Sequence, residues 1–211
     1  MKMRKCLPLL TALLVAPVST AVMASTISYF IDQSNALPDG EHYAQVTISD
    51  STTSIGDIDF SVALLSSAFD VSGTNFGMQT FSFNYDSALH VTEDNITDIS
   101  VAGWSVEDNR NAGGGFGKFD FQLSGNGSTR TSLLTFTISG VGGDNAGSYA
   151  IESGLNHHHD EGEFFATHIA GFDETDGVTS AQFAGSVPAV PAPFHRCEWG
   201  SDWCTAPAHL R

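Results

Sequence analysis

The chain has 211 residues and carries 8 basic against 24 acidic side chains, a formal net charge of −16. A surface this acidic repels nucleic acid and anionic membranes, which sets nucleic acid aside as a partner; no cofactor is expected, with calcium the one candidate because carboxylates are hard oxygen ligands. Its length suits one domain built on one hydrophobic core.

The N-terminus reads as an export signal. Lys2, Arg4 and Lys5 form a positive region, Leu7 to Val15 an apolar run, and Val22-Met23-Ala24 puts small or β-branched residues where a signal peptidase reads. The apolar stretch is shorter than the roughly 20 residues of a membrane span and is interrupted by Pro8 and Pro17. Cleavage is expected before Ser25, making residues 1–24 a signal peptide. Cys6 precedes the apolar run, so it is not a lipid-attachment cysteine, and it leaves with the signal. Loss of Lys2, Arg4 and Lys5 leaves five basic against 24 acidic residues, a net charge of −19.

Residues 25–186 contain no cysteine and must fold on packing alone. Short alternating runs follow one another: Ala44, Val46 and Ile48; Ile58, Phe60, Val62 and Leu64; Phe81, Phe83 and Tyr85; Phe119, Phe121 and Leu123; Leu134, Phe136 and Ile138. Period two is that of half-buried strands. Gly-, Asn- and Asp-rich breakers at 37–40, 72–75, 111–115, 124–129 and 140–147 separate the runs. The expectation is all-β: a single antiparallel β-sandwich, jelly-roll or immunoglobulin-like. In TNFGMQTFSFNY the apolar phase slips after Gln79 or Thr80, which predicts a β-bulge or a strand crossing between sheets. Residues 144–156 fit neither period, so a short helical turn or a loop is expected there.

Candidate chemistry is sparse. His157, His158, His159, Asp160, Glu161 and Glu163 form a polar loop leading into a strand expected from Glu163 to Ala170, which carries His168. His157, His159, Asp160 and His168 are the candidate transition-metal ligands, although adjacent histidines on one loop cannot all converge on one ion, and a solvated loop is the competing reading. Asp57 and Asp59, Glu93 and Asp94, Glu107 and Asp108, and the DETDG segment at 173–177 are candidate calcium ligands without regular loop spacing. Trp104 is a candidate platform for stacking a sugar ring, weighed against a place in the core. The chain lacks a Gly-x-Ser-x-Gly nucleophile elbow and its body lacks a thiol, so no catalytic residue is assigned.

Residues 187–211 differ in character, reading VPAVPAPFHRCEWGSDWCTAPAHLR. With FGMQTFSFNYD, GFGKFDFQLSG, LLTFTISG and FFATHIAGF in the body and SVPAVPAP after it, the chain resembles the exported bacterial proteins of the PEP-CTERM group. In that group a Val-Pro-x-Pro motif precedes a transmembrane helix and an arginine cluster, and the tail is processed by an exosortase-type membrane protease. Val190, Pro191, Ala192 and Pro193 match the motif, with Ala where Glu is usual. The resemblance implies a non-catalytic structural or adhesive protein of the cell envelope, cell surface or extracellular matrix, with extracellular polysaccharide as a partner. A carbohydrate- or divalent-metal-binding sandwich is the alternative.

The chain departs from the group after Pro193. His195, Arg196, Glu198, Asp202 and His209 leave no apolar run of about 20 residues. Read from the second base of the Pro193 codon, the codons open to Phe-His-Arg-Cys permit Pro-Ser-Thr-Ala-Val, and Trp199-Gly200-Ser201 echoes the opening of the group's helix. The expectation is a frameshifted anchor, with the exosortase as a partner where the true reading frame keeps it, and with Cys197 and Cys204 left without a selected pairing. The nucleotide sequence decides this: shifted frames without an apolar segment and arginines would refute it.

Overall fold

The computed structural model describes residues 25–153, 162–173 and 177–185, and the backbone of 187 and 188. It is all-β, with two antiparallel sheets packed face to face. In chain order the strands are β1 (Thr26–Ile31), β2 (Gln33–Ser34), β3 (Ala44–Asp50), β4 (Ile58–Leu64), β5 (Gly77–Phe83), β6 (Ile96–Thr97), β7 (Ser105–Asn111), β8 (Lys118–Ser124), β9 (Leu133–Ile138), β10 (Phe165–Ala170), β11 (Ser180–Gly185) and β12 (Val187–Pro188). One six-stranded sheet runs β12-β1-β3-β4-β9-β6, the other β2-β11-β10-β5-β8-β7.

Period-two patterning produces this directly. Along β4 buried and half-buried residues alternate without a break, and Ile58, Phe60, Val62 and Leu64 point inward as expected. β3, β8 and β9 bury the inward sets read from the sequence. The core where the sheets meet is aromatic: Phe60 of β4 stacks on Phe136 of β9 at 4.5 Å and meets Phe83 of β5, on the opposite sheet, at 5.1 Å. Aromatic side chains bury large areas and gain from tilted or offset contact, which suits a core that no disulfide assists.

Two strand switches stitch the sheets along one side. β1 passes through Asp32 into β2 of the other sheet, and β11 passes into β12, which returns to pair with β1. Strands that change sheet make the corners of a sandwich and leave only two-residue stubs at those edges.

The phase slip is a β-bulge. Thr80 lies opposite His168 and Met78 opposite Ile169, so Gln79 is the extra residue on β5. Residues 146–149 form a 3-10 turn, as the aperiodic stretch suggested. Two expectations are corrected. The strand expected from Glu163 begins at Phe165, because the Ser153 N–H donates to the Glu163 carbonyl and the Glu163 N–H to Ser153 Oγ, which holds that residue in a fully buried loop contact. β5 ends at Phe83, and Tyr85 turns out of it to stack on Phe121 at 5.6 Å.

Candidate functional site

Two concave surfaces among the described residues are lined in part by carboxylates. The first is a cleft of about 470 Å³ lined by Tyr85, Val91, Thr92, Glu93, Asp94, Asp108, Asn109, Asp120 and Phe121. It lies where the connection from β5 to β6 passes the β7–β8 edge. Asn95 anchors the turn bearing Glu93 and Asp94: its Oδ1 accepts from the Thr92 N–H at 2.9 Å, and its Nδ2 donates to the Ser139 carbonyl at 2.9 Å, tying the turn to the end of β9. Asp120 is set by its own backbone. Its N–H donates to Asn84 Oδ1 at 2.8 Å, and its Oδ2 accepts from the Tyr85 N–H at 3.2 Å.

The cleft thus gathers four carboxylates and two aromatic rings, Tyr85 and Phe121. Sequence reasoning had singled out Glu93, Asp94 and Asp108 as members of acidic pairs. Asp120 escaped it, since a lone carboxylate at an outward strand position signals nothing until the fold brings Tyr85 and Asp108 beside it. Among the described residues no three His, Cys, Asp or Glu side chains converge closely enough to share a metal ion.

The second surface is the outer face of the β12-to-β6 sheet, where a shallow depression of about 350 Å³ is lined by Thr47, Ser49, Asp59, Phe60, Ser61, Asp98, Thr135, Phe136 and Thr137. Its outward residues are the alternates of the core set, and nearly all carry an oxygen. Asp98, held at φ +52° just after β6, forms one wall.

The sequence-selected residues fall as follows. Trp104 is 8% exposed, and its Nε1–H donates to the Thr129 carbonyl at 2.8 Å. Gly125 lets the indole pass, since a Cβ there would lie 2.4 Å from Nε1. The ring is a core element and offers no face for stacking a sugar, which corrects its reading as a ligand platform. His168 sits half-buried on β10 between Thr80 of β5 and Gln182 of β11. Burial, with the nearby Arg130 guanidinium adding to it, lowers its pKa from the ordinary histidine value; a neighbouring cation also disfavours a metal ion. His157, His158, His159, Asp160 and Glu161 lie outside the described residues, as do Glu174 to Asp176 and the motif Val190, Pro191, Ala192 and Pro193.

Three of the remaining acidic candidates have structural partners. Asp59 Oδ1 accepts from Thr137 Oγ1 at 3.0 Å, Glu107 Oε2 pairs with Arg110 Nε at 2.7 Å, and Asp173 accepts from the N–H and hydroxyl of Ser72. Those two bonds from Ser72 lower the Asp173 pKa. No family model, curated protein or solved structure matches the chain.

Proposed function

We propose that this chain is an exported, non-catalytic protein of the cell surface or extracellular matrix, with a structural or adhesive role, handled by the exosortase system. One observation carries the reading: an export-type leader stands before the sandwich and Val190-Pro191-Ala192-Pro193 follows just beyond its last strand, β12, which pairs back onto β1. The body supports the same reading, since an acidic sandwich whose cysteines lie outside it needs no redox assistance to fold outside the cell. Fractionation of cells expressing the full gene, with the N-terminus read by mass spectrometry, tests this. A chain starting at Ser25 in the medium or surface fraction is expected; a cytoplasmic chain retaining its leader would overturn it.

The acidic cleft favours a second reading, a module that holds carbohydrate or a divalent cation through its loops. Thermal melts with calcium, zinc or EDTA, and with soluble sugars, check it, because a ligand held only by the native state raises the midpoint by mass action. Unchanged midpoints throughout would dismiss this reading of the cleft.

A further inference from the structure

The register of the β12-to-β6 sheet turns separate sequence patterns into a grid. Thr26 and Ser28 face outward on β1, Thr47 and Ser49 on β3, Asp59 and Ser61 on β4, Thr135 and Thr137 on β9. Antiparallel pairing lines these up in two transverse rows. One runs Ser28, Thr47, Ser61, Thr135; the other runs Thr26, Ser49, Asp59, Thr137 and on to Thr97 of β6. Neighbours within a row stand about 4.8 Å apart and the rows about 6.8 Å apart, so the longer row spans roughly 19 Å.

Every position in the two rows presents a hydroxyl or a carboxylate, and none is apolar. The grid only partly satisfies itself. Ser28 and Thr47 share a contact of 3.3 Å, and Thr137 donates to Asp59. The hydroxyls of Ser49, Ser61 and Thr135 find no hydrogen-bond partner among the described residues. Beside the first row, the register sets a third: Phe30, Gln45, Ala63 and Leu133. Phe30 stacks flat on His42 at 3.8 Å, and Leu133 is half exposed.

This pattern excludes several occupants and fits one. Lipid or an apolar protein surface would bury hydroxyls without replacing their hydrogen bonds with water. A polyanion meets Asp59, Asp98 and the net charge of −16. A neutral sugar polymer has the complementary chemistry: equatorial hydroxyls that both donate and accept, apolar C–H faces, no charge, and units whose length is close to the strand spacing.

We propose that the outer face of the β12-to-β6 sheet binds a neutral polysaccharide chain laid across the strands. The two oxygen rows engage its hydroxyls, and the Phe30–Leu133 row supports its C–H faces. This deepens the extracellular role proposed above and stands apart from the acidic cleft.

Affinity electrophoresis of the full chain in gels containing hydroxyethyl cellulose, dextran, galactomannan or alginate tests it. At least one neutral polymer is expected to retard the protein, and alginate to leave it unretarded. Thr47→Val with Thr135→Val keeps side-chain shape and strand preference while removing two hydroxyls, and should weaken the retardation about tenfold. Ser61→Gln, which projects into the groove without removing a packed group, should also weaken it and serves should the double variant fail to fold. Retardation by none of the neutral polymers, equal retardation by alginate, or folded face variants that bind like the parent would each overturn the proposal. Surface location is read by fractionation, so a surface protein that binds no neutral polymer defeats this inference and leaves the localisation standing.

Discussion

At the scale of single residues, Phe60 does the most to join the sheets. It contacts Phe136 on its own sheet, Phe81 and Phe83 on the other, and Tyr149 of the 3-10 turn. Phe60→Ala should cost about 3–5 kcal/mol through lost burial and the cavity left behind. Ile55→Ala, at a fully exposed position, should stay within about 0.5 kcal/mol. Urea denaturation measures both. His168 supplies a pH dependence. Its folded pKa lies below the unfolded value of 6.5, so the unfolded chain binds a proton first. The stability tied to the neutral imidazole is intact above pH 6.5 and is lost as pH falls from there through the lowered folded value. In denaturant midpoints measured from neutral to mildly acidic pH, His168→Gln should lose less stability than the parent; parallel curves would place the acid sensitivity elsewhere.

At the scale of elements, β7 is the long edge that the strand switches do not cover. It keeps partners away by charge and shape. Glu107, Asp108 and Arg110 lie along it, and Asn109 takes a φ of +50° within it. Residues three apart on a regular strand face opposite ways, so the pairing of Glu107 with Arg110 accords with the break in alternation at Asn109. Both features keep a second sheet from adding on. Replacing Glu107 and Arg110 together by Val should produce oligomers that grow with concentration in light scattering; a double variant that stays monomeric would show that the charges are not what protects the edge. Gly171 marks another fixed point, since at φ +88° a Cβ there would sit 2.1 Å from the Asn75 carbonyl oxygen.

How far elements could be read in advance follows from their surroundings. β3, β4, β8 and β9 announced themselves because one face of each is apolar and the other polar, and even the bulge at Gln79 showed as a one-residue slip of phase. β7, with Val106 as its sole large apolar residue, had no such stripe, because an edge strand of this kind packs little against the core. The candidate sites were less legible. Acidic pairs were visible, but Asp59 and Asp173 turned out to hold neighbouring segments, while Glu93, Asp94 and Asp108 came together in the cleft. Trp104 was conspicuous as a residue type, and only its contact with Thr129 and Gly125 placed it inside.

For the whole molecule, charge and packing oppose each other. A net charge of −16 repels itself across the fold, while Glu107 with Arg110 is the one ion pair in which both partners are among the described residues. Salt screens repulsion between exposed charges, so the thermal midpoint should rise by a few degrees between about 20 and about 300 mM sodium chloride. A midpoint that fell with salt would mean that favourable pairs outweigh the repulsion. The amino-acid sequence by itself determined β3, β4, β8 and β9, their inward faces and the antiparallel sandwich, because a period-two pattern records locally which side of a strand is buried. It also determined, on the outward side, which residues bear hydroxyls. Only the tertiary structure decided that Thr26, Ser49, Asp59, Thr137 and Thr97 fall into one line, and that Asp120 joins Glu93 and Asp108 across a cleft. Register and sheet order depend on pairings between residues far apart in the chain, and no local pattern carries that information.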